Sequence, residues 1–527
     1  MSLDWRCPYP SNRSPVFAKN MVAGSQPLAV QAGIGALKKG GNAVDAALAT
    51  AITLTVVEPS GNGIGSDAFA IVWDGKSLHG LNASGRAPAL LSPDKFKGLQ
   101  QMPEFGWDAV TVPGAVSAWM ELSARFGKLP FEALFEDAIH YASNGYQLGP
   151  KTRVYWKEAE QVYRDFEPFM DTFMVDGRAP AIGDLVRLPD HAASLQRIAN
   201  SHGEDFYRGE LASAMVEDAQ KHGAALSMDD LAGHSCDWVG TIDTALGGVR
   251  LHEIPPNGQG LMSLMAIGML NKLDIAAYAL DSADSIHLQI EATRIAYANI
   301  ERHLADIEYM RVTPADLLDD QFLAARAGEI DQGMANTRPT ILGASPDTVY
   351  LSTADQSGMM VSMIQSNYKS FGSGIVVPGP GISLQNRGAG FVLEDGHPNR
   401  LAGGKRPYHT LIPGFVMQDG KPKMSFGVMG AHMQAQGHLQ MMIRVFVHGQ
   451  NPQAASDAPR WHLEKDGRVA LEAGFDLGVA DALAKRGHVL RFDRPEQVFG
   501  GAQLIYRMKD GYCGGSDHRK EGFAAGF

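Results

Sequence analysis

The chain has 527 residues, of which 45% are hydrophobic and 20% are charged, and its formal net charge is −12 at pH 7. This is an ordinary globular composition, with enough length to bury a large core. The acidic balance argues against binding to a nucleic-acid backbone, because such binding needs basic residues to neutralise the phosphates.

Cysteine content and apolar runs limit the class of protein further. The three cysteines, Cys7, Cys236 and Cys513, are too few and too widely spaced for a disulfide framework or a metal cluster. The first residues show no basic stretch followed by an apolar one, so we predict no signal peptide. The longest apolar run, over residues 46–57, is too short to cross a membrane. We therefore expect a cytoplasmic protein without membrane contact.

Apolar residues three and four positions apart predict helices in the first two thirds of the chain. Between the first two helices and the third, a strand over 68–73 and another over 78–81 flank Asp74-Gly75, which predicts a hairpin. The predicted helices cover residues 27–39, 45–57, 115–126, 131–144, 191–199, 210–222 and 285–303.

The pattern changes to strands after residue 348. Predicted strands cover residues 349–354, 359–366, 381–384, 411–417, 424–428 and 503–507, and helices cover 433–447 and 476–486. Helices on the outside and strands on the inside indicate a layered α/β (α+β) sandwich, because a sheet must bury both of its faces.

The junction of these two regions holds a candidate nucleophile. In Pro346-Asp347-Thr348-Val349-Tyr350, a loop meets a predicted strand. If the chain cuts itself before Thr348, the freed α-amine lies beside the threonine hydroxyl, so one residue supplies both nucleophile and base. Alone, this pattern is weak evidence, because an ordinary threonine at a strand edge is the more common explanation.

A series of further motifs, in order along nearly the whole chain, resembles the γ-glutamyltransferase family of N-terminal nucleophile hydrolases. With the Thr348 junction between the third and the fourth, they are Gly40-Gly41-Asn42-Ala43-Val44-Asp45, Val56-Val57-Glu58-Pro59, Pro255-Pro256-Asn257-Gly258-Gln259-Gly260, Phe371-Gly372-Ser373-Gly374, Leu384-Gln385-Asn386-Arg387-Gly388, Gly404-Lys405-Arg406-Pro407 and Asp457-Ala458-Pro459-Arg460.

The resemblance implies a precursor that is cut between Asp347 and Thr348. The products are a large chain, 1–347, and a small chain, 348–527, which stay packed in a shared four-layer αββα sandwich. It further implies that Ser366 supports the nucleophile Thr348. The backbone N–H groups of Gly430 and Ala431 would form the oxyanion hole, where alanine is acceptable provided that it needs no positive φ. No cofactor and no metal are implied.

The sequence departs from the family in the expected substrate pocket. Ser84 stands where the family has a carboxylate-binding arginine, and Arg86 follows two residues later. The glutamine and aspartate that bind the substrate ammonium group in the family are replaced by Arg387 and Gly390. The remaining substrate-binding candidates are Tyr368 and the pair His409 and Thr410, which replaces two serines.

An arginine repels an ammonium group and pairs well with a carboxylate. We therefore weigh two substrates: a γ-glutamyl amide, or the amide of an acid without an α-amino group, such as a glutaryl compound or oxamate. In the first case Arg387 makes a structural salt bridge; in the second it binds the acyl donor. The predicted partner is a small amide, and a homo-oligomer of the two-chain unit is possible.

Other readings of the sequence are weaker or remain open. Gly61-Asn62-Gly63-Ile64-Gly65-Ser66 precedes a strand instead of opening a helix, so we interpret it as a loop lining a cleft and not as a dinucleotide site. His432 and His438 have the wrong spacing for zinc on one helical face.

A catalytically silent homologue would remain uncut. The loop over 392–404 is shorter than the family's usual lid, which favours hydrolysis over transpeptidation.

Overall fold

The computed structural model describes residues 12–336 and 348–527. Its strands are β1 Val16–Ala18, β2 Met21–Gly24, β3 Asp67–Trp73, β4 Leu78–Ala83, β5 Tyr146–Gln147, β6 Leu185–Val186, β7 Asp237–Trp238, β8 Ile242–Leu246, β9 Val249–Glu253, β10 Val349–Ala354, β11 Met360–Ser366, β12 Val376–Val377, β13 Ile382–Ser383, β14 Gly414–Gln418, β15 Lys421–Met429, β16 Trp461–Leu463, β17 Val469–Leu471, β18 Leu490–Arg491, β19 Gly501–Met508, β20 Gly511–Ser516 and β21 Phe523–Gly526.

The helices lie mostly before residue 337. They are α1 Pro27–Lys38, α2 Ala43–Val57, α3 Ala115–Phe126, α4 Glu136–Asn144, α5 Pro150–Val162, α6 Glu167–Phe173, α7 Pro189–Asn200, α8 Glu204–Arg208, α9 Glu210–Lys221, α10 Met228–Ala232, α11 Gly260–Lys272, α12 Ala283–His303, α13 Pro314–Leu317, α14 Asp320–Ala327, α15 Met433–Met442, α16 Pro452–Asp457 and α17 Leu477–Lys485.

Two seven-stranded sheets form the centre of the molecule. One has the order β1-β20-β19-β15-β14-β9-β8, and the other has the order β21-β2-β10-β11-β3-β4-β7. Each sheet combines strands from before and after residue 348, and β10 and β11 lie between β2 and β3 with antiparallel pairing on both sides. The two parts of the chain are thus interleaved and share one core.

Apolar side chains fill three interfaces. One cluster, with Phe69, Tyr350 and Phe415, lies between the sheets. The other two clusters join each sheet to its outer helices. All fifteen residues of α2 are buried, as expected of a helix that is mostly apolar and has no strongly polar face. The resulting order of helix, sheet, sheet and helix confirms the predicted four-layer αββα sandwich.

The predicted elements match the structure except at particular breaks. The expected strand over 411–417 begins only at Gly414, because Pro413 cannot donate a hydrogen bond to a neighbouring strand. The expected helix over 131–144 starts as a separate 3₁₀ turn, Phe131–Phe135. Helix α11 escaped prediction because it is apolar nearly throughout and shows no periodicity.

Candidate active site

Three polar residues form a row across one end of the second sheet. Thr348 directly precedes β10, Ser366 ends β11 and Asp67 begins β3. Val349 pairs with Gln365 and Ser366 with Asp67, so the three residues are neighbours across adjacent strands. Thr348 Oγ1 lies 3.2 Å from Ser366 Oγ, and each of the three is at most 1% exposed. The structure thus brings the predicted nucleophile and its supporting hydroxyl together. Asp347 lies outside the described residues.

The glycine-rich loop after α2 lies against the backbone of Thr348. A Cβ atom on Gly61 would stand 3.0 Å from Val349 Cγ1 and 3.1 Å from the carbonyl carbon of Thr348, so this close approach favours glycine. The loop therefore forms one wall beside the predicted nucleophile, in agreement with its interpretation as a cleft-lining segment.

The facing sheet brings the predicted oxyanion hole towards the same place. Ser352 Oγ lies 2.5 Å from Ser425 Oγ, and the ring of Tyr350 packs over Gly427. Ser352 thus faces Ser425, and Tyr350, two residues earlier in β10, faces Gly427, two residues later in β15. If the same spacing continues, Thr348 faces Met429, which immediately precedes the predicted pair of backbone donors.

The conformation of that pair departs from the condition set by the sequence. Gly430 has φ +112° and Ala431 has φ +47°, so the alanine occupies the left-handed region that favours glycine. An alanine there costs about 1–2 kcal/mol. The condition under which the sequence analysis accepted an alanine at position 431 is therefore not met, and the site holds local backbone strain.

Arg387 is the least satisfied charged group of the candidate site. Its guanidinium is 1% exposed and stacks 4.4 Å above the ring of Tyr368. Nη1 donates to Thr410 Oγ1 at 2.8 Å, whereas Nε and Nη2 have no partner among the residues that the structure describes. Burial lowers the pKa of Arg387 to about 10, and the nearby charge of Asp67 opposes this shift.

Tyr368 connects this arginine to the nucleophile. Its backbone N–H donates to Ser366 Oγ at 2.8 Å, its φ is +77°, and its ring lies beneath the Arg387 guanidinium. Gly390 leaves no space for the aspartate found in the family, since a Cβ there would stand 2.7 Å from the Tyr408 carbonyl oxygen. The structure thus brings Tyr368, Thr410 and Arg387 together without an acidic group at position 390.

His409 is already engaged by other protein groups. Its Nδ1 accepts from the Leu411 N–H at 3.2 Å, so Nε2 carries the proton and donates to Asp67 Oδ2 at 3.1 Å. The ring is fully buried, and burial together with the charges of Arg387 and Arg406 keeps its pKa well below 6.5. His409 therefore positions Asp67 and offers no free nitrogen to a substrate.

Asp67 is the site residue that the sequence analysis missed. Besides His409, its carboxylate accepts from the backbone N–H groups of Gly85 at 3.2 Å and Gly114 at 3.1 Å. Burial raises its pKa to about 7, and the charge of Arg387 opposes that rise. The available signal was an acidic residue directly after the glycine-rich loop, at the head of an apolar strand.

Arg86 lies in a different environment from Arg387. Its side chain is 39% exposed, with Nη1 3.4 Å from Asp306 and Nη2 4.0 Å from Asp237. Nη1 also donates to the carbonyl oxygen of Gly404 at 3.2 Å. These contacts hold Arg86 in an ion-pair cluster near the surface, and the structure does not bring it together with the groups around Arg387.

The shortened lid region is tied down at several points. The carbonyl oxygen of Gly396 accepts from Arg311 at 2.6 Å, and His397 Nε2 lies 3.0 Å from the carbonyl oxygen of Glu301. Phe391 and Leu401 pack into a small apolar cluster with the segment after β4. The loop therefore contacts both the segment around Glu301 and Arg311 and the segment after β4.

One group of side chains has the composition of a metal site. His287, Glu291 and His488 are buried, and their ligand atoms lie within 4.8 Å of one another. However, His287 Nδ1 and His488 Nε2 lie 2.8 Å apart and hydrogen-bond directly, which accounts for the pair without an ion. His438 contacts Glu253 at 2.6 Å and lies in a different part of the core.

The described part of the chain contains no helix of sufficient length and apolar character to span a bilayer. The cytoplasmic location stays a prediction, as does the division of the chain at residue 348.

An αββα sandwich with a threonine at the head of a central strand and a neighbouring hydroxyl has the architecture of an N-terminal nucleophile hydrolase. A family profile described as gamma-glutamyltranspeptidase matches residues 29–527. The chain belongs to the γ-glutamyltranspeptidase family, and it is an enzyme of the hydrolase and acylase type found there.

Individual relatives cover almost the full length. A glutathione hydrolase-like proenzyme of Bacillus subtilis is 32% identical, over 98% of this chain and 100% of its own. An oxamate amidohydrolase proenzyme of Klebsiella pneumoniae is also 32% identical, over 98% and 99%. The crystal structure of a cephalosporin acylase from Bacillus halodurans is 45% identical, with a TM-score of 0.94 over 100% of this chain and 99% of that one. These relatives include proenzymes, which agrees with processing into a large and a small chain.

Proposed function

We propose that this protein is a self-processing amidohydrolase in which Thr348 is the nucleophile and the acyl donor is a carboxylic acid without an α-amino group. The observation that carries the choice of donor is Arg387, a buried cation with two guanidinium positions, Nε and Nη2, left without partners in the described structure. A carboxylate can accept two parallel hydrogen bonds from such a fork. An ammonium group would meet the same charge with repulsion.

The environment of Asp67 supports this choice of donor. Its carboxylate already accepts two backbone N–H groups and His409 Nε2–H, so it is poorly placed to hold an additional ammonium group. The family's aspartate position is Gly390, where the backbone of Tyr408 leaves no space for a side chain. Glutaryl-type amides and oxamate therefore fit the proposed pocket better than γ-glutamyl amides do.

The proposed reaction proceeds through an ester on Thr348. Cleavage of the bond between Asp347 and Thr348 frees the α-amine, which takes the hydroxyl proton as Oγ1 attacks the amide carbonyl carbon. Backbone N–H groups of Gly430 and Ala431 hold the oxyanion, a kind of contact that contributes about 2.7–4 kcal/mol in other enzymes. The C–N bond breaks, the leaving amine takes the proton, and water then hydrolyses the ester.

Self-processing is tested with Thr348→Ala and Thr348→Ser. Alanine removes the hydroxyl, and we expect an uncut chain without amidase activity by gel analysis and mass spectrometry. Serine keeps a hydroxyl at the same position and serves as the matched control, with cleavage retained at a reduced rate. An alanine variant that is still cut between 347 and 348 contradicts the assignment, and an uncut wild type supports a silent homologue.

The donor is tested by comparing hydrolysis of glutaryl-p-nitroanilide with that of γ-glutamyl-p-nitroanilide, which differ only in the α-amino group. We expect a higher kcat/KM for the glutaryl compound, and oxamate is the next substrate to test. A preference for the γ-glutamyl compound would show that Arg387 does not select the donor. Dipeptide acceptors should leave the rate of product release unchanged if water is the acceptor.

A further inference from the structure

His432 occupies a special position beside the predicted oxyanion hole. It follows Ala431 directly and is the residue that precedes the first turn of α15. Its ring is parallel to that of Tyr408, with centroids 5.9 Å apart and an interplanar angle of 16°. Its carbonyl oxygen accepts a hydrogen bond from the Tyr297 hydroxyl. The side chain is 7% exposed, so it is largely enclosed but not fully buried.

The hydrogen bonds around His432 determine which ring nitrogen carries the proton. Gln259 Nε2 donates to the carbonyl oxygens of Thr410 at 2.7 Å and Ala431 at 2.8 Å, so Gln259 Oε1 is an acceptor. The Tyr408 hydroxyl donates to that Oε1 at 2.8 Å and has no second hydrogen. The contact of 3.2 Å between Tyr408 Oη and His432 Nδ1 therefore requires Nδ1–H as the donor.

The same assignment leaves Nε2 of His432 with an unshared lone pair. No side chain in the described ranges, 12–336 and 348–527, hydrogen-bonds this atom. Burial, with the charges of Arg387 and Lys465, lowers the pKa of His432 to about 4, and the positive end of the α15 dipole acts in the same direction. The imidazole is thus neutral near pH 7 and carries an open acceptor on the residue that directly follows the predicted oxyanion-hole pair.

We propose that His432 is a catalytic residue of the second half-reaction, in which Nε2 accepts a hydrogen bond from the water that attacks the ester on Thr348. This inference rests on the proposed function, since it requires an acyl-enzyme. A neutral imidazole with one nitrogen anchored to Tyr408 and the other open is suited to orient water, and orientation accounts for a large share of the rate of such steps.

The step balances without a change in the charge of His432. The water oxygen bonds to the ester carbonyl carbon while one water hydrogen passes to the α-amine of Thr348. The second hydrogen stays on the attacking oxygen, held by Nε2. The carbon–Oγ1 bond then breaks, Oγ1 takes the proton back from the amine, and the free acid leaves. His432 holds the water and is unchanged at the end.

His432→Asn and His432→Gln form a matched pair for the test. The Asn amide can donate to Tyr408 from about the position of Nδ1 but has no acceptor at the position of Nε2, and Asn is also favoured before a helix. The Gln Oε1 can reach the position of Nε2. Pre-steady-state release of p-nitroaniline from glutaryl-p-nitroanilide gives the acylation rate, and the mass of the 348–527 chain reports the acyl adduct.

For His432→Asn we expect acylation at nearly the wild-type rate, deacylation slower by about tenfold or more, and an adduct that accumulates on the small chain. His432→Gln should recover much of the deacylation rate. An equal loss in both steps, unchanged deacylation, or an effect on KM alone would overturn the proposal; the last outcome would mean that Nε2 binds a donor group of the substrate.

The two proposals fail in different ways. If the wild type shows no adduct on quenching and Thr348→Ala retains activity, the acyl-enzyme itself is wrong. If the wild type forms the adduct, and the Asn variant is processed normally but releases the adduct as fast as wild type, only the role of His432 is wrong.

Discussion

Two buried arginines, Arg387 and Arg519, show how alike residues can have opposite tasks. Each is 1% exposed. Arg519 Nε and Nη2 bind both carboxylate oxygens of Glu472 at 2.6 and 2.5 Å, and Nη1 binds Asp517 and the carbonyl oxygen of Ser456. Arg387 has Thr410 as its only hydrogen-bond partner for the guanidinium among the described residues.

The pKa values of the neighbouring carboxylates, Asp517 and Asp67, also differ between the two arginines. Burial alone would raise the pKa of Asp517, but the charges of Arg460 and Arg519 hold it below its ordinary value. For Asp67, burial raises the pKa to about 7, and the charge of Arg387 only reduces the rise. In the structural region around Arg519, the guanidinium is fully paired with protein groups. In the candidate site, the Arg387 guanidinium is only partly paired within the described residues, which is typical of a functional position.

We expect the largest difference between the Arg519 network and the candidate site from Arg519→Met, which should lower stability. Removing this partner leaves Glu472 and part of Asp517 buried without their counter-charge, which costs about 3–5 kcal/mol of stability. Thermal unfolding of the processed protein should show a large drop in the midpoint, while kcat/KM per folded molecule stays near wild type. The exposed pair of Arg468 with Asp466 supplies the control, since Arg468→Met should cost about 1 kcal/mol or less. Equal stability of the two variants would contradict the structural role.

Arg387→Met should produce the reverse pattern. We expect kcat/KM for glutaryl-p-nitroanilide to fall by roughly 2 kcal/mol or more, about thirty-fold, because a buried charge pair with the substrate is lost. Stability should change little, since Arg387 has few partners to lose. Arg86→Met is the matched control and should leave kcat/KM near wild type. A large loss of stability without a kinetic change would assign Arg387 to the fold instead.

The sequence predicted the frame of the site because the frame depends on local signals. The strand-forming runs of β10 and β11 placed Thr348 and Ser366 at strand ends, and the structure finds their hydroxyls 3.2 Å apart. The layered arrangement followed from the change from helical to strand periodicity near residue 348. Breaks such as Pro413 displaced single boundaries without altering the architecture.

The electrostatic partners could not be predicted, because they lie far apart along the chain. Asp67 and His409 are 342 residues apart, and no local pattern shows that they meet. The choice between Arg86 and Arg387 likewise depends on burial and on the positions of Asp306 and Tyr368. The left-handed Ala431 was hidden for a different reason: its conformation is imposed by the turn from β15 into α15 and is not a preference of alanine.

Asp67→Asn sharpens the comparison through pH. The pKa of Asp67 is about 7 in the folded state against 3.8 ordinarily, so between these values the folded protein holds a proton that the unfolded chain has released. Stability should therefore fall as pH rises through this window, by at most about 1.4 kcal/mol per pH unit, and be flat outside it. The Asn variant should lack this slope in unfolding experiments. If stability depends on pH with the same slope in both proteins, the titration of Asp67 does not cause the slope in this pH window.

The smallest expected effect comes from Ala431→Gly, which tests whether the site region stores strain that the Arg519 network does not. Glycine accepts φ +47° without the steric cost of a Cβ, although the change also removes a buried methyl group and loosens the unfolded chain. We expect a net gain of about 0.5 kcal/mol in stability with the oxyanion donors intact, measured by denaturant unfolding and kcat. Because the backbone N–H persists, kcat should stay within about twofold of wild type. A clear loss of stability would show that packing of the Ala431 methyl stabilises the fold by more than its backbone strain costs. In that case core packing, and not a catalytic need, would explain the left-handed conformation.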